Sequence, residues 1–144
     1  MFRGKLVLRG GTELVKQLEG LGSKIQKEIL KEALNEGAEP ILRATRSDAP
    51  RLTGALSRSV KKRNRTRKGK PLVLIQTAAT DFRGDQFYGG FIELGTDERF
   101  QKSGKSVGKV IAQHWMADAF TRNEAGAQGI IESSIQAGIN AAVA

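Results

Sequence analysis

Phe87-Tyr-Gly-Gly-Phe-Ile-Glu-Leu-Gly-Thr96 is the stretch around which the rest of the 144-residue chain is organised. It holds two of the six Phe, the only Tyr and three of the 17 Gly in a chain otherwise poor in aromatics. A helical half and a basic hairpin precede it. A Gly/Ser/Lys-rich segment, the only Trp and a last helical pattern follow. An aromatic and glycine cluster at such a junction reads as a packing hub, with a sharp turn at Gly95. Glu93 stands out within it, because a carboxylate in an apolar run has to be paired or hydrogen-bonded.

Upstream, residues 2–9 (FRGKLVLR) alternate as a short strand, with Leu6 and Leu8 on one face. Gly10-Gly11 ends it, and Thr12 is suited to cap a helix that carries Leu14, Leu18 and Leu21 on one side. Gly20 and Gly22 break that helix and Ser23 caps the next. From Ser23 to about Ser47, apolar residues recur at helical spacing (Ile25, Ile29, Leu30, Leu34, Ala38, Ile41, Leu42), opposite a Glu/Lys face. Pro40 interrupts this pattern by removing a backbone donor, so a kink or break is expected near residues 35–39. Glu28, Glu32 and Glu36 read as a solvated face.

The net charge of +9 is localised. Residues 1–50 contribute +2 (9 basic, 7 acidic), residues 51–70 contribute +9 (9 basic, none acidic) and residues 71–144 contribute −2 (6 basic, 8 acidic). The chain is a near-neutral body bearing one basic patch. The patch falls on a hairpin with strands at about residues 60–64 and 72–78, joined by a polar, mobile tip at residues 65–71. Its cations are Arg58, Lys61, Lys62, Arg63, Arg65, Arg67, Lys68 and Lys70. They suit DNA phosphates or an acidic protein surface. With no aromatic among them, base stacking is disfavoured.

Downstream of Thr96, residues 97–109 read as a long flexible arm. Apolar character resumes over residues 110–120 (VIAQHWMADAF), and from Ala117 onward Ile130, Ile131, Ile135 and Ile139 form a helical stripe weakened by Gly126, Gly129 and Gly138. The whole predicts an α+β fold in a single domain over residues 1–144. It comprises N-terminal helices, one of them long and kinked, then a small antiparallel sheet with an extended basic hairpin (about 58–78), the arm (about 97–109) and a C-terminal helix.

Several chemistries are disfavoured. Zero Cys removes disulfides, thiolate metal sites and cysteine nucleophiles, and suits a reducing cytosol. His114 is the only histidine, so no His-based metal cluster forms within one chain, and a site of any metal or cofactor is not expected. Beside Trp115 it reads as a packing or capping residue rather than the catalyst of a hydrolase, and no G-x-S-x-G stretch accompanies it. Gly104-Lys105-Ser106 resembles the end of a phosphate-binding loop, but Arg99 stands where that motif needs its first Gly. No apolar run reaches the ~20 residues of a membrane span and no signal-peptide core is present, so a cytosolic, non-enzymatic protein is expected.

Two segments resemble a known family. Ala49-Pro-Arg-Leu-Thr-Gly-Ala-Leu-Ser-Arg-Ser-Val60 fits a P-x-x-T-G-x-L-x-x-S-[IV] pattern through Pro50, Thr53, Gly54, Leu56, Ser59 and Val60. Tyr88, Phe91, Ile92, Glu93, Gly95 and Thr96 fit Y-x-x-[FY]-[VI]-E-[FY]-G-T, with Leu94 where an aromatic is usual. A weaker third match sets His114-Trp115-Met116 in place of Pro-Phe-[LM], with Ala119 in register. In order and spacing these resemble the HK97 gp10-like family of tailed-bacteriophage neck and tail-completion proteins.

That resemblance implies a structural virion protein without catalytic activity, which assembles into a homo-oligomeric ring, a hexamer, at the head–tail junction. It implies neck adaptor and stopper proteins and tail terminator or tail tube proteins as partners, DNA in the channel as a further contact, and no membrane. The protein would reside in the host cytoplasm during assembly and in the virion afterwards. Thr53, Gly54, Leu56, Tyr88, Phe91, Glu93, Gly95, Thr96, Trp115 and Ala119 are the expected interface residues. The alternative, from composition, is a small nucleic-acid-binding protein acting through residues 58–70. On the assembly reading, residues 93–96 become the hinge that launches the arm, and Gly95→Val is expected to harm assembly as well as folding.

Overall fold

A computed structural model describes residues 12–51, 54–77 and 89–144; the strand expected over residues 2–9 and the loop expected over residues 80–86 lie outside the described residues. The elements run α1 (Thr12–Glu19), α2 (Ser23–Asp48), α3 (Ala55–Ser59), β1 (Lys61–Arg67), β2 (Lys70–Gln76), α4 (Gly89–Leu94), β3 (Arg99–Phe100), β4 (Ser106–Gly108) and α5 (Trp115–Val143). The fold is α+β. Its strands form two separate antiparallel pairs, β1–β2 and β3–β4.

The frame is the pair α2 and α5. At 1.5 Å per residue, their 26 and 29 residues span roughly 39 and 44 Å. They run antiparallel: Ile29 near the start of α2 lies on Gly138, Gly37 lies on Ile131, and Asp48 at the end of α2 pairs with Arg122. The core follows this axis in two clusters. One joins Leu18 of α1 to Ile29 and Ala33 of α2 and Ile131, Ile135 and Ile139 of α5. The other gathers Leu42, Ala49, Leu56, Val60 and Trp115 where α2 ends, α3 turns and α5 begins. Ile25 and Ile130, both counted in the helical stripes, are exposed.

The close approach of the two helices depends on small residues. A Cβ on Gly37 would lie 2.3 Å from Ile131 Cγ1 and 3.0 Å from the Ala127 carbonyl oxygen. Glycine at this position costs helix propensity but lets Ile131 pack onto the α2 backbone.

Of the kink or break expected at Pro40, the break does not occur, since α2 is one continuous helix through it. Proline deprives the Glu36 carbonyl of its in-helix partner, but Glu36 is exposed and water can replace that bond. The hairpin also braces this turn. The Lys62 ammonium donates to the Asn35 carbonyl (3.1 Å) and to Glu39 Oε2 (2.8 Å). Asn35 Nδ2 donates to Asn64 Oδ1 at 2.7 Å. Ser23 is the first residue of α2 rather than its cap; Gly22 holds the cap position without a side-chain bond. α3 is tied to the end of α2, because Ser57 Oγ donates to the Arg46 carbonyl (2.8 Å) and Arg46 Nε to the Val60 carbonyl (3.0 Å).

The hairpin is longer and its tip tighter than expected. β1 and β2 pair in register from Lys61↔Gln76 to Arg67↔Lys70. Only Lys68 and Gly69 remain for the turn, both at positive φ (50° and 75°). Two successive left-handed residues make the type I′ turn that matches the twist of a two-residue hairpin, so the segment 65–71 is mostly ladder rather than a loose tip.

Candidate assembly interface

The Glu93 carboxylate is the fixed point of the junction. α4 places it at 2 % exposure. There, Oε2 accepts from the Met116 backbone N–H (2.8 Å) and Oε1 from the Ala117 N–H (3.1 Å). These are two of the donors that the first turn of α5 leaves without intrahelical partners. A carboxylate placed there also meets the positive end of the helix dipole. His114, the residue before α5, sits at φ 49° and offers no side-chain cap. Its N–H donates to the Glu93 carbonyl (3.2 Å), and that of Gln113 to the Ile92 carbonyl (2.8 Å). The first turn of α5 is thus capped by a side chain from α4, and the awkward carboxylate has its partners.

Gly95 and Thr96 then turn the chain outward. Gly95 is at φ 73°, and its N–H closes α4 on the Phe91 carbonyl at 2.7 Å. A Cβ here would lie 2.9 Å from both the Ala112 nitrogen and the Val110 carbonyl oxygen, so left-handed backbone and lack of space both require glycine. Thr96 clamps the returning segment: its N–H donates to the Val110 carbonyl (2.9 Å), and its Oγ1 accepts from the Val110 N–H (3.0 Å). The segment between them, residues 97–109, contains the β3–β4 pair, a turn closed by Gln101 N–H to the Lys105 carbonyl (2.9 Å), and a Ser106 hydroxyl bond to Glu98 (2.7 Å). This local structure is not apparent from a Gly/Ser/Lys-rich composition.

The arm and its base hold four exposed large apolar side chains: Leu94, Phe100 (63 %), Val107 and Ile111 (77 %). None of the four was among the expected interface residues. For Phe100 and Val107 the signal available was their placement as isolated apolar residues in a polar segment, which a core would not need; Leu94 and Ile111 lie in apolar runs and gave no such signal.

The expected interface residues divide sharply. Leu56, Glu93, Trp115 and Ala119 are buried inside the protomer, and Phe91, Gly95 and Thr96 are half-buried around them. Gly54 caps α3 at φ 76°. Thr53 and Tyr88 lie outside the described residues. Trp115 Nε1 is buried with no hydrogen-bond partner among the described residues. His114 is exposed.

The basic hairpin has two unlike faces. Lys62 and Asn64 turn inward and bind α2, where the hydrogen bond and charge of Lys62 hold the Glu39 carboxyl below its ordinary range. Strand alternation places Lys61, Arg63, Arg65 and Arg67 on the other face, with Lys70, Leu72 and Leu74 opposite them on β2. Arg63 is half-buried, while Lys61, Arg65, Arg67, Lys68 and Lys70 are exposed; Arg58, on α3, is engaged within the protomer. The i, i+2 spacing of 61, 63, 65 and 67 was readable in the sequence as a strand period rather than as a bare charge run.

No group of three or more His, Cys, Asp or Glu side chains among the described residues could hold a metal ion. None of the described helices is long and apolar enough to cross a membrane. The family model described as "Bacteriophage HK97-gp10, putative tail-component" matches residues 12–95, from the first residue of α1 to the turn at Gly95. No curated protein and no solved structure matches the chain.

Proposed function

This chain belongs to the HK97-gp10-like family of bacteriophage tail components, and from that premise we propose that it forms a ring at the head–tail junction. As a tail component it is a structural, virion-associated phage protein. In the proposed ring, a hexamer, it completes the head-proximal end of the tail and joins it, through neck adaptor and stopper proteins and the tail terminator or tube, to the DNA-filled head. No catalytic role is proposed.

The observation that carries this reading is the arm. A protomer of this size devotes a buried carboxylate, a left-handed glycine and a threonine clamp to holding out a segment whose Phe100 and Val107 face solvent. Closed rings need heterologous contacts, in which one patch of a protomer meets a different patch of the next. A polar hairpin that exposes Phe100 and Val107 supplies one such patch. Leu56, Glu93, Trp115 and Ala119 then act on assembly indirectly, by fixing the base from which the arm projects.

The test is negative-stain electron microscopy of the purified protein alone and mixed with phage tails that lack it. Rings of uniform diameter or capped tail ends are expected. A monomer at every concentration together with uncapped tails would contradict the proposal.

A further inference from the structure

The outward face of the β1–β2 hairpin has a regularity that ring assembly does not require. Lys61, Arg63, Arg65 and Arg67 occupy alternate positions of one strand, and Lys70 sits directly across from Arg67. None of these five cations is in an ion pair among the described residues. The sequence places no Asp or Glu between residues 49 and 80, so the hairpin itself carries no carboxylate to neutralise them. The one basic residue of β1 that points the other way, Lys62, is bound to Glu39. The hairpin therefore separates a structural lysine from a ladder of single-sign charge.

Alternate residues of a strand recur every ~6.7 Å. Four cations at that spacing make a row of like charge roughly 20 Å long, which suits the anionic backbone of the duplex. The ladder carries no aromatic side chain for stacking on unpaired bases. Leu72 and Leu74, across from Arg65 and Arg63, are exposed on the same face. We propose that this face binds the phosphate backbone of double-stranded DNA, independently of base sequence, with Lys61, Arg63, Arg65, Arg67 and Lys70 as the contacts. The inference does not depend on the ring, because it concerns the protomer surface alone.

It is tested by fluorescence anisotropy of the full chain with two labelled 30-bp duplexes of unrelated sequence between 50 and 200 mM NaCl. Five contacts at about 0.9 each give a log–log salt slope of about −4 to −5, hence a several-hundred-fold weakening across that range, equal for both duplexes. Arg63→Ser/Arg65→Ser/Arg67→Ser is expected to flatten the slope by about 3 with unchanged circular dichroism. Lys62→Ser is expected to leave the slope intact while lowering the melting temperature. The proposal is overturned if the triple variant binds like the wild type, or if Lys62→Ser flattens the slope as much as the triple variant does. It is also overturned if polyglutamate of equal charge concentration displaces the duplex as well as unlabelled duplex does, which would make the face a docking surface for acidic protein.

Discussion

At Glu93, one carboxylate accepts two backbone N–H groups from the start of another helix, and those two bonds join α4 to α5. The side chain is buried, so an unfilled acceptor or donor there bears its full desolvation cost. Glu93→Gln keeps the volume but sets an amide NH2 against one of the two donors, and it removes the charge at the helix end. We expect a loss of about 2 kcal/mol, combining a broken charged hydrogen bond with the helix-end term, read as a lower urea midpoint at unchanged m-value. Gly95→Val forces a β-branched residue into the left-handed region and drives its Cβ to 2.9 Å from two backbone atoms of the returning segment. Strain and overpacking together are expected to cost about 3 kcal/mol or more; a Gly95→Val protein that melts with the wild type would show that the turn does not need glycine. The need for a partner to Glu93, and for a turn at Gly95, was legible in the sequence, because both follow from the residue itself. Which atoms would answer Glu93 was not. His114, which the sequence suggests as a packing or capping residue, is exposed and gives α5 no side-chain cap, and only the fold brings Met116 and Ala117 to α4.

Among the elements, α2 and α5 determine the shape, and their glycines sort by what surrounds them. Gly37 lies under Ile131, whereas Gly126 and Gly129 face open space. Alanine normally gains about 1 kcal/mol over glycine in a helix interior. At Gly126 and Gly129 that gain is expected in full, as a raised melting temperature. At Gly37 a contact of 2.3 Å reverses the sign, and Gly37→Ala is expected to destabilise by about 1–2 kcal/mol net. Sequence spacing identified both helices but not this difference, since a glycine under a neighbour and one in solvent look alike. The hairpin teaches the same lesson about charge: one run of cations becomes two faces once strand alternation is imposed. Glu39, its carboxyl lowered chiefly by the Lys62 hydrogen bond, contributes stability above the ordinary carboxylate range and loses it as the pH falls through its lowered value. Because the pair is partly exposed and screened, Lys62→Met is expected to cost about 1 kcal/mol or less at pH 7. The gap between the two unfolding midpoints should close at acid pH and narrow in high salt.

For the whole molecule, the α+β class, the long helices, the hairpin and the family resemblance were all readable from order and spacing. What was hidden was the economy of the protomer. Residues quoted as an interface because they form a motif, such as Leu56, Trp115 and Ala119, turn out to be spent on the internal junction. Among the described residues, the exposed surface includes a basic ladder and an arm with a few apolar side chains, neither of which forms a dense motif. Motif residues here are dictated by the burial of one carboxylate and one indole, whereas exposed contacts have few physical constraints to mark them. The arm is the proposed assembly surface. The most direct measurement is the fraction of capped tails, counted by electron microscopy, for wild type and for Phe100→Ser/Val107→Ser. Both side chains are exposed, so the variant should keep the wild-type circular dichroism and melting temperature while leaving most tails uncapped. A variant that caps tails as well as the wild type would contradict the account.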